Sequence, residues 1–541
     1  MRILIAALCL AGAACATTPT GGDQAASGRT IAPVLTSADA RDPHSYARPD
    51  VARVTHVALD LALDFEAKRV EGTATLDILA APAAREIILD SKGLQIQTVT
   101  DAAGRALPLV VGATDPAKGA PVTIQIGDAR RIVIRYRTGP DAEALQWLSP
   151  EQTAGGRHPY LLSQGQPTLN RTWIPTQDSP GIRQTWEARI SAPEPLKVVM
   201  SGERLPPDMV PVGTTRRTHR FRMDRPVAPY LIAIAAGDIT FRALGPRTGV
   251  WAEPAMIDRA AAELVDTERM VEAAEALYGP YRWGRYDVIV LPPSFPYGGM
   301  ENPTLTFLTP TFIAGDRSLV NLVAHELAHS WSGNLVTNAN WTDSWINEGF
   351  TSYFENRIME SLYGRRRAQQ EEALSFDDLQ SALEEEGASS PKTRLHLAEA
   401  EATPDGGVSG IVYDKGATFL RTLERAVGRA RWDAYLRSYF DRHAFQPMTS
   451  ARFLADLRAN LVRGDQALEQ RLDLERWVYE PGIPPNAFVP TSTAFAAVEV
   501  QAKAFACVST AANAVEVGTT ALGGMPGSYT HRSRSSRCSS A

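Results

Sequence analysis

Two histidines four residues apart on an apolar helix, with a glutamate after eighteen intervening residues, restrict this chain more than any other feature. The stretch Ser318–Glu355 reads SLVNLVAHELAHSWSGNLVTNANWTDSWINEGFTSYFE. Leu319, Val320, Leu322, Val323, Leu327 and Trp331 recur at helical spacing, which predicts a helix capped by Asp316 or Ser318 and ended by Gly333. Positions four apart share a helix face, so His325 and His329 can aim two imidazoles at one ion. Glu326 lies beside them, suited to act on a water at that ion as the catalytic base. A catalytic zinc needs a third protein ligand and an open position. Glu348 can supply that ligand from a second helix, whose own apolar stripe is Trp345, Ile346, Phe350, Tyr353, Phe354 and Ile358. Gly349 inside it costs about 1 kcal/mol against alanine, which close approach of the two helices at the metal would explain. Glu355, two turns past Glu348, is placed to orient a ligand histidine.

The pattern HELAHSW…NEGF, preceded by PYGGMENP at Pro296–Pro303, resembles peptidase family M1, the zinc aminopeptidases of the gluzincin type. The nearest likeness is to its leukotriene A(4) hydrolase and aminopeptidase B branch, over roughly Val54 to Pro485. The resemblance implies a multidomain chain. An N-terminal antiparallel β saddle domain would precede an α+β thermolysin-like catalytic domain holding one Zn2+. It implies an aminopeptidase acting on peptides with a free N-terminus. Gly298, Gly299, Met300 and Glu301 would bind substrate, Glu301 holding the α-amino group. Gln166, in Ser163-Gln164-Gly165-Gln166, matches a loop facing that amine, and its amide can both donate and accept. Tyr413, in IVYDKG, matches the catalytic tyrosine, whose phenol can donate to an oxyanion. Asp405 matches an acidic position in the pocket for the first side chain, which would favour Arg or Lys there.

Two other readings are carried. The scaffold allows epoxide hydrolysis of the leukotriene hydrolase type, although Val408 stands where that enzyme has a tyrosine. A truncated, non-catalytic peptide-binding protein is the third, prompted by the tail: relatives continue into a large helical domain, whereas residues 486–541 read as a truncated helical remnant and a disordered, Ser- and Arg-containing end.

Composition sets the outer limits. A chain of 541 residues exceeds one core, and a net charge of −6 gives no sign of nucleic-acid binding. Residues 1–16 carry one Arg, an apolar run and small residues, as a secretory signal does, with Cys15 in a possible lipoprotein box. The expected location is therefore outside the cytoplasm: periplasmic, or anchored to the outer membrane by lipid if bacterial. No other run is long enough to span a bilayer. The four cysteines, Cys9, Cys15, Cys507 and Cys538, leave the main fold without disulfides or cysteine catalysis. Residues 17–49 read as a flexible linker, 50–240 as the β domain with period-two strands, and 241–485 as the catalytic domain. Ala255 to Tyr278 reads as one long helix, and Thr304–Leu308 as a strand with an open edge for an extended peptide. The chain is expected to be a monomer.

Overall fold

The computed structural model describes residues 29–206, 213, 215–398 and 409–491. The proposed leader with Cys15, the first part of the linker, Asp405, Val408 and the tail from 492 lie outside the described residues.

Alternating residues build the N-terminal domain. In the strand Ala52–Asp64, Val57, Leu59, Leu61 and Leu63 are buried while Asp60 faces solvent, as a half-covered sheet requires. That strand lies at the centre of a seven-stranded sheet, ordered 203–205, 216–227, 184–193, 52–64, 69–80, 131–137, 95–101. Every pairing in it is antiparallel except that of Ala52–Asp64 with Gln184–Pro193. Three- and four-stranded sheets complete the domain, and the four-stranded one includes Tyr160–Ser163 and Ile234–Gly237.

The linker expectation fails over residues 29–49. Asp90 accepts from Ser45 Oγ at 2.6 Å and from the Tyr46 amide at 2.8 Å. Asn340 Nδ2 donates to the Asp39 carbonyl at 2.9 Å, and Ala32 and Ala40 are buried. Small polar residues look like a tether in composition, yet here partners distant in sequence satisfy their backbone groups.

The catalytic domain opens on a five-stranded sheet ordered 240–243, 248–252, 286–290, 305–308, 299–300. Leu305–Leu308 is therefore internal, and the open edge expected there belongs to Gly299–Met300 instead. The long helix expected over 255–278 is two helices, Ile257–Glu263 and Thr267–Tyr278. At the break, Thr267 Oγ1 donates to the Leu264 carbonyl and Asp266 is engaged by Arg317 and Tyr363. Three helices then matter for function: the histidine helix Asn321–Ala328, the glutamate helix Trp345–Tyr363 and the tyrosine helix Gly410–Val427. The glutamate helix packs between the other two, buried along most of its length. Arg183 of the N-terminal domain locks the two domains together. Its guanidinium donates to the Asn334 carbonyl at 2.6 Å and to Thr337 Oγ1, both in the catalytic domain. No helix among the described residues is long and apolar enough to cross a membrane.

Candidate metal centre

The histidine helix is shorter than its apolar pattern implies, starting at Asn321 and ending at Ala328. His329 is its C-cap, but keeps helical dihedrals (φ −56°, ψ −20°), and its amide bonds the His325 carbonyl at 3.3 Å. The four-residue spacing thus still brings both rings to one face. Glu348 enters from the first turn of the glutamate helix. Its Oε2 lies 3.4 Å from His325 Nε2 and 3.5 Å from His329 Nε2. Ligand atoms about 2.0–2.1 Å from a tetrahedral ion stand about 3.3–3.4 Å apart, so the three atoms fit one zinc. Glu348 Oε2 is also buried without a hydrogen bond, an arrangement costly for a carboxylate unless a cation faces it.

The other ring nitrogens are fixed. His325 Nδ1 is 3.0 Å from Glu355 Oε2. His329 Nδ1 is 3.1 Å from both the Ser332 carbonyl and Thr351 Oγ1. With the Nδ1 protons so engaged, each Nε2 lone pair points to the common position. Burial holds His329 down to about 4, in its neutral, ligating form. Burial also pushes His325 down, but the carboxylates of Glu348 and Glu355 beside it outweigh this and raise the ring well above its ordinary value. A divalent ion, when bound, would take the place of that proton.

Glu326 is buried over the edge strand. A Cβ at Gly299 would lie 2.2 Å from Glu326 Oε1 and 2.4 Å from its Cδ, so only glycine leaves room for this carboxylate. Burial pushes Glu326 well above the usual carboxylate range; His325 opposes this, and Glu301, Glu348 and Glu355 add to it. One oxygen of Glu301, one of Glu326 and one nitrogen of His329 lie within 4.8 Å of one another, so the two carboxylates stand side by side at the histidine. That trio could itself hold an ion. The set with Glu348 fits better, since the alternative would leave Glu348 Oε2 buried and unpaired.

Glu301 is buried, its Oε1 accepting from Tyr230 Oη at 3.0 Å and its carbonyl from Asn334 Nδ2 at 2.7 Å. Met300 is buried and pairs with Phe307, while Gly298 packs on Leu322. Tyr413 stands on the tyrosine helix with its ring 5.9 Å from that of His325 and 25° from parallel. Burial raises its phenol well above the ordinary value, with the charges of Glu348, Glu301 and Glu326 adding to the effect, so it remains a proton donor. Gly349 does make a close approach, but not to the histidine helix. A Cβ there would lie 2.7 Å from Gly416 Cα and 2.9 Å from the Val412 carbonyl, both on the tyrosine helix. Gln166 is half-buried in a loop whose Gly165 abuts the Tyr230 carbonyl.

Sequence reasoning missed Tyr230, Asn347 and Thr351. Thr351 backs His329, while Asn347 Nδ2 lies 3.4 Å from Tyr230 Oη. A signal for Tyr230 existed: it interrupts the apolar run PYLIAIAA, where a buried phenol needs a partner.

Comparison with known proteins agrees with this geometry. A profile of the Peptidase family M1 domain matches residues 262–475, and one of the Peptidase M1 N-terminal domain matches residues 43–231. Leukotriene A-4 hydrolase of Xenopus laevis is 38% identical over 452 residues, covering 82% of this chain and 74% of that protein. Leucine aminopeptidase 2 of Yarrowia lipolytica is 35% identical over 470 residues, covering 84% and 71%. Among solved structures, yeast LTA4 hydrolase with bestatin superposes with a TM-score of 0.77 at 33% identity, covering 83% of this chain and 71% of that one. A two-domain M1 zinc metallopeptidase shares the fold at 23% identity and a TM-score of 0.64, with 97% of its chain covered.

Proposed function

Since this chain belongs to peptidase family M1, we propose that it removes single residues from the free N-terminus of peptides with one zinc ion, and that its buried side chains divide the chemistry as follows. His325, His329 and Glu348 hold the zinc, with Glu355 fixing His325. Zinc, when bound, supplies a Lewis acid that lowers the pKa of water towards about 7 and polarises a carbonyl. The Glu326 carboxylate takes a proton from the attacking water and returns it to the leaving amine. Tyr413 donates its phenolic hydrogen to the oxyanion that forms on the scissile carbonyl. Glu301 takes the substrate's α-ammonium, aided by Gln166, and the free edge of Gly298, Gly299 and Met300 pairs with the extended peptide.

The observation that carries this reading is the convergence of Glu348 Oε2 on the two Nε2 atoms, at 3.4 and 3.5 Å, with Glu326 and Glu301 beside it. Release of dye from aminoacyl reporter amides, with and without a chelator, is the test. Equal rates in both would reject zinc catalysis. The match of Asp405 to the family's acidic position favours Arg or Lys as the first residue, read from a panel of Arg, Lys, Ala, Leu and Glu reporters.

A second reading, hydrolysis of an epoxide, is favoured by the leukotriene A-4 hydrolase name of one relative. Turnover of an epoxy fatty acid at a rate rivalling peptide turnover would establish it. The remaining parts of the proposal are a chain divided near residues 50, 240 and 485, monomeric, and exported by the leader at 1–16 with or without lipid at Cys15. The leader composition supports export. Limited proteolysis, sedimentation and the mass of the mature N-terminus test these three points.

A further inference from the structure

Glu301 sits in the catalytic domain, yet its hydroxyl donor comes from the other domain. Tyr230 lies on the 3-10 turn Pro229–Leu231 of the N-terminal domain, fully buried. Its Oη is 3.0 Å from Glu301 Oε1 and is approached by Asn347 Nδ2 at 3.4 Å, from the residue before the ligand Glu348. The turn itself is built to hold that hydroxyl in place. Asn170 Nδ2 donates to the carbonyls of Pro229 at 2.6 Å and Ile232 at 3.0 Å, and Asn170 Oδ1 accepts from Trp173 Nε1 at 2.7 Å. The Tyr230 ring packs on Trp341 at 5.3 Å. A Cβ at Gly165 would come within 2.4 Å of the Tyr230 carbonyl, so the loop bearing Gln166 is seated on the same turn.

We propose that Tyr230 is a positioning residue for amine recognition, its hydroxyl holding Glu301 Oε1 so that the second oxygen faces the substrate's α-ammonium. The N-terminal domain then sets the exopeptidase register of a site whose metal and base lie in the catalytic domain. A carboxylate with two free rotamers would take up an ammonium in several places; one oxygen bonded at 3.0 Å leaves a single acceptor direction. The inference rests on Glu301 being the amine clamp of the aminopeptidase reading.

The test is Tyr230→Phe in the full zinc-loaded chain, which removes only the hydroxyl. Expected is a rise in KM for an aminoacyl reporter of about tenfold to a hundredfold with kcat within about threefold. The preference for the free-amine over the N-acetylated reporter should fall by a similar factor, with zinc content unchanged. In a Glu301→Gln background the same substitution should change KM by less than about threefold, because the anionic oxygen it aims at the ammonium is gone. Unchanged KM and unchanged amine preference in Tyr230→Phe would overturn the inference, as would an equal effect in the Glu301→Gln background. Should Tyr230→Phe not fold, Trp341→Phe is measured instead. It keeps the hydroxyl but loosens its seat; a smaller KM rise supports the inference, and an unmoved KM overturns it. Failure of the aminopeptidase reading itself would be seen earlier, as no chelator-sensitive release by the unsubstituted protein.

Discussion

Three side chains around the candidate metal position set different tasks for single substitutions. Glu326 lies against Gly299, where only glycine leaves room for its carboxylate. Glu326→Gln is therefore expected to keep one zinc per chain and an unchanged melt while kcat falls by about a hundredfold to ten-thousandfold. Metal analysis beside a rate assay checks both halves. Glu355→Gln should act through the metal instead. It weakens the acceptor 3.0 Å from His325 Nδ1, and zinc affinity is expected to drop about tenfold to a hundredfold, read by competition with a chelator. Tyr413→Phe removes the hydroxyl proposed to donate to the oxyanion, and is expected to lower kcat about a hundredfold with little change in KM. The proposed places of Glu326 and Glu355 were legible because spacing on helices is a local property, whereas that of Tyr413 came from its match to the family's segment. Asp405 lies outside the described residues, and its part in specificity rests on the family match alone.

At the level of elements, the decisive contact is between the glutamate and tyrosine helices. Gly349 and Gly416 meet backbone to backbone, where an added Cβ would stand 2.7 Å from the partner's Cα. Neither side can yield by turning a side chain, so Gly349→Ala must push the helices apart. It is expected to cost about 1–3 kcal/mol, read as a lower denaturant midpoint. Because Tyr413 rides on the helix that moves, kcat should fall as well, which a purely global loss of stability would not produce below the melt. Gly416→Ala should reproduce both effects. The sequence marked Gly349 as anomalous, but it could not say which helix it approached; that depends on a crossing between segments some seventy residues apart. The edge strand shows the same limit. Thr304–Leu308 and Gly299–Met300 have equally suitable residues, and only the pairing with Tyr286–Val290 decides which of them is internal.

For the whole molecule, stability should respond to metal and to acid. Zinc held as proposed would bind the folded state through two helices, so stripping it with a chelator is expected to lower the melting temperature by several degrees and re-addition to restore it. Acid acts through buried histidines such as His219, which burial, with Arg204 and Arg217 nearby, holds down to about 4. In the unfolded chain a histidine titrates near 6.5. Between about pH 6.5 and 4 the unfolded chain therefore binds a proton that the native protein does not, and native stability falls as pH falls through that window. Asp178 and Asp414, pushed up to about 6 by burial, oppose this over part of it. The contribution of His219 is best read by difference: lowering the pH from 7.5 to 5 should move His219→Gln relative to the parent by on the order of 1–2 kcal/mol in favour of the variant, after allowance for solvent screening. By itself, the sequence determined the strand and helix classes and brought forward His325, His329 and Glu348 as a candidate ligand set with Glu326 beside it, because these depend on periods of two and of three to four residues and on side-chain chemistry. It did not determine that residues 29–49 pack, that one sheet pairing is parallel, or that Tyr230 reaches Glu301. Those follow from where separate elements meet, since a hydrogen bond between groups 71 residues apart has no local signature and exists only once both domains have closed on it.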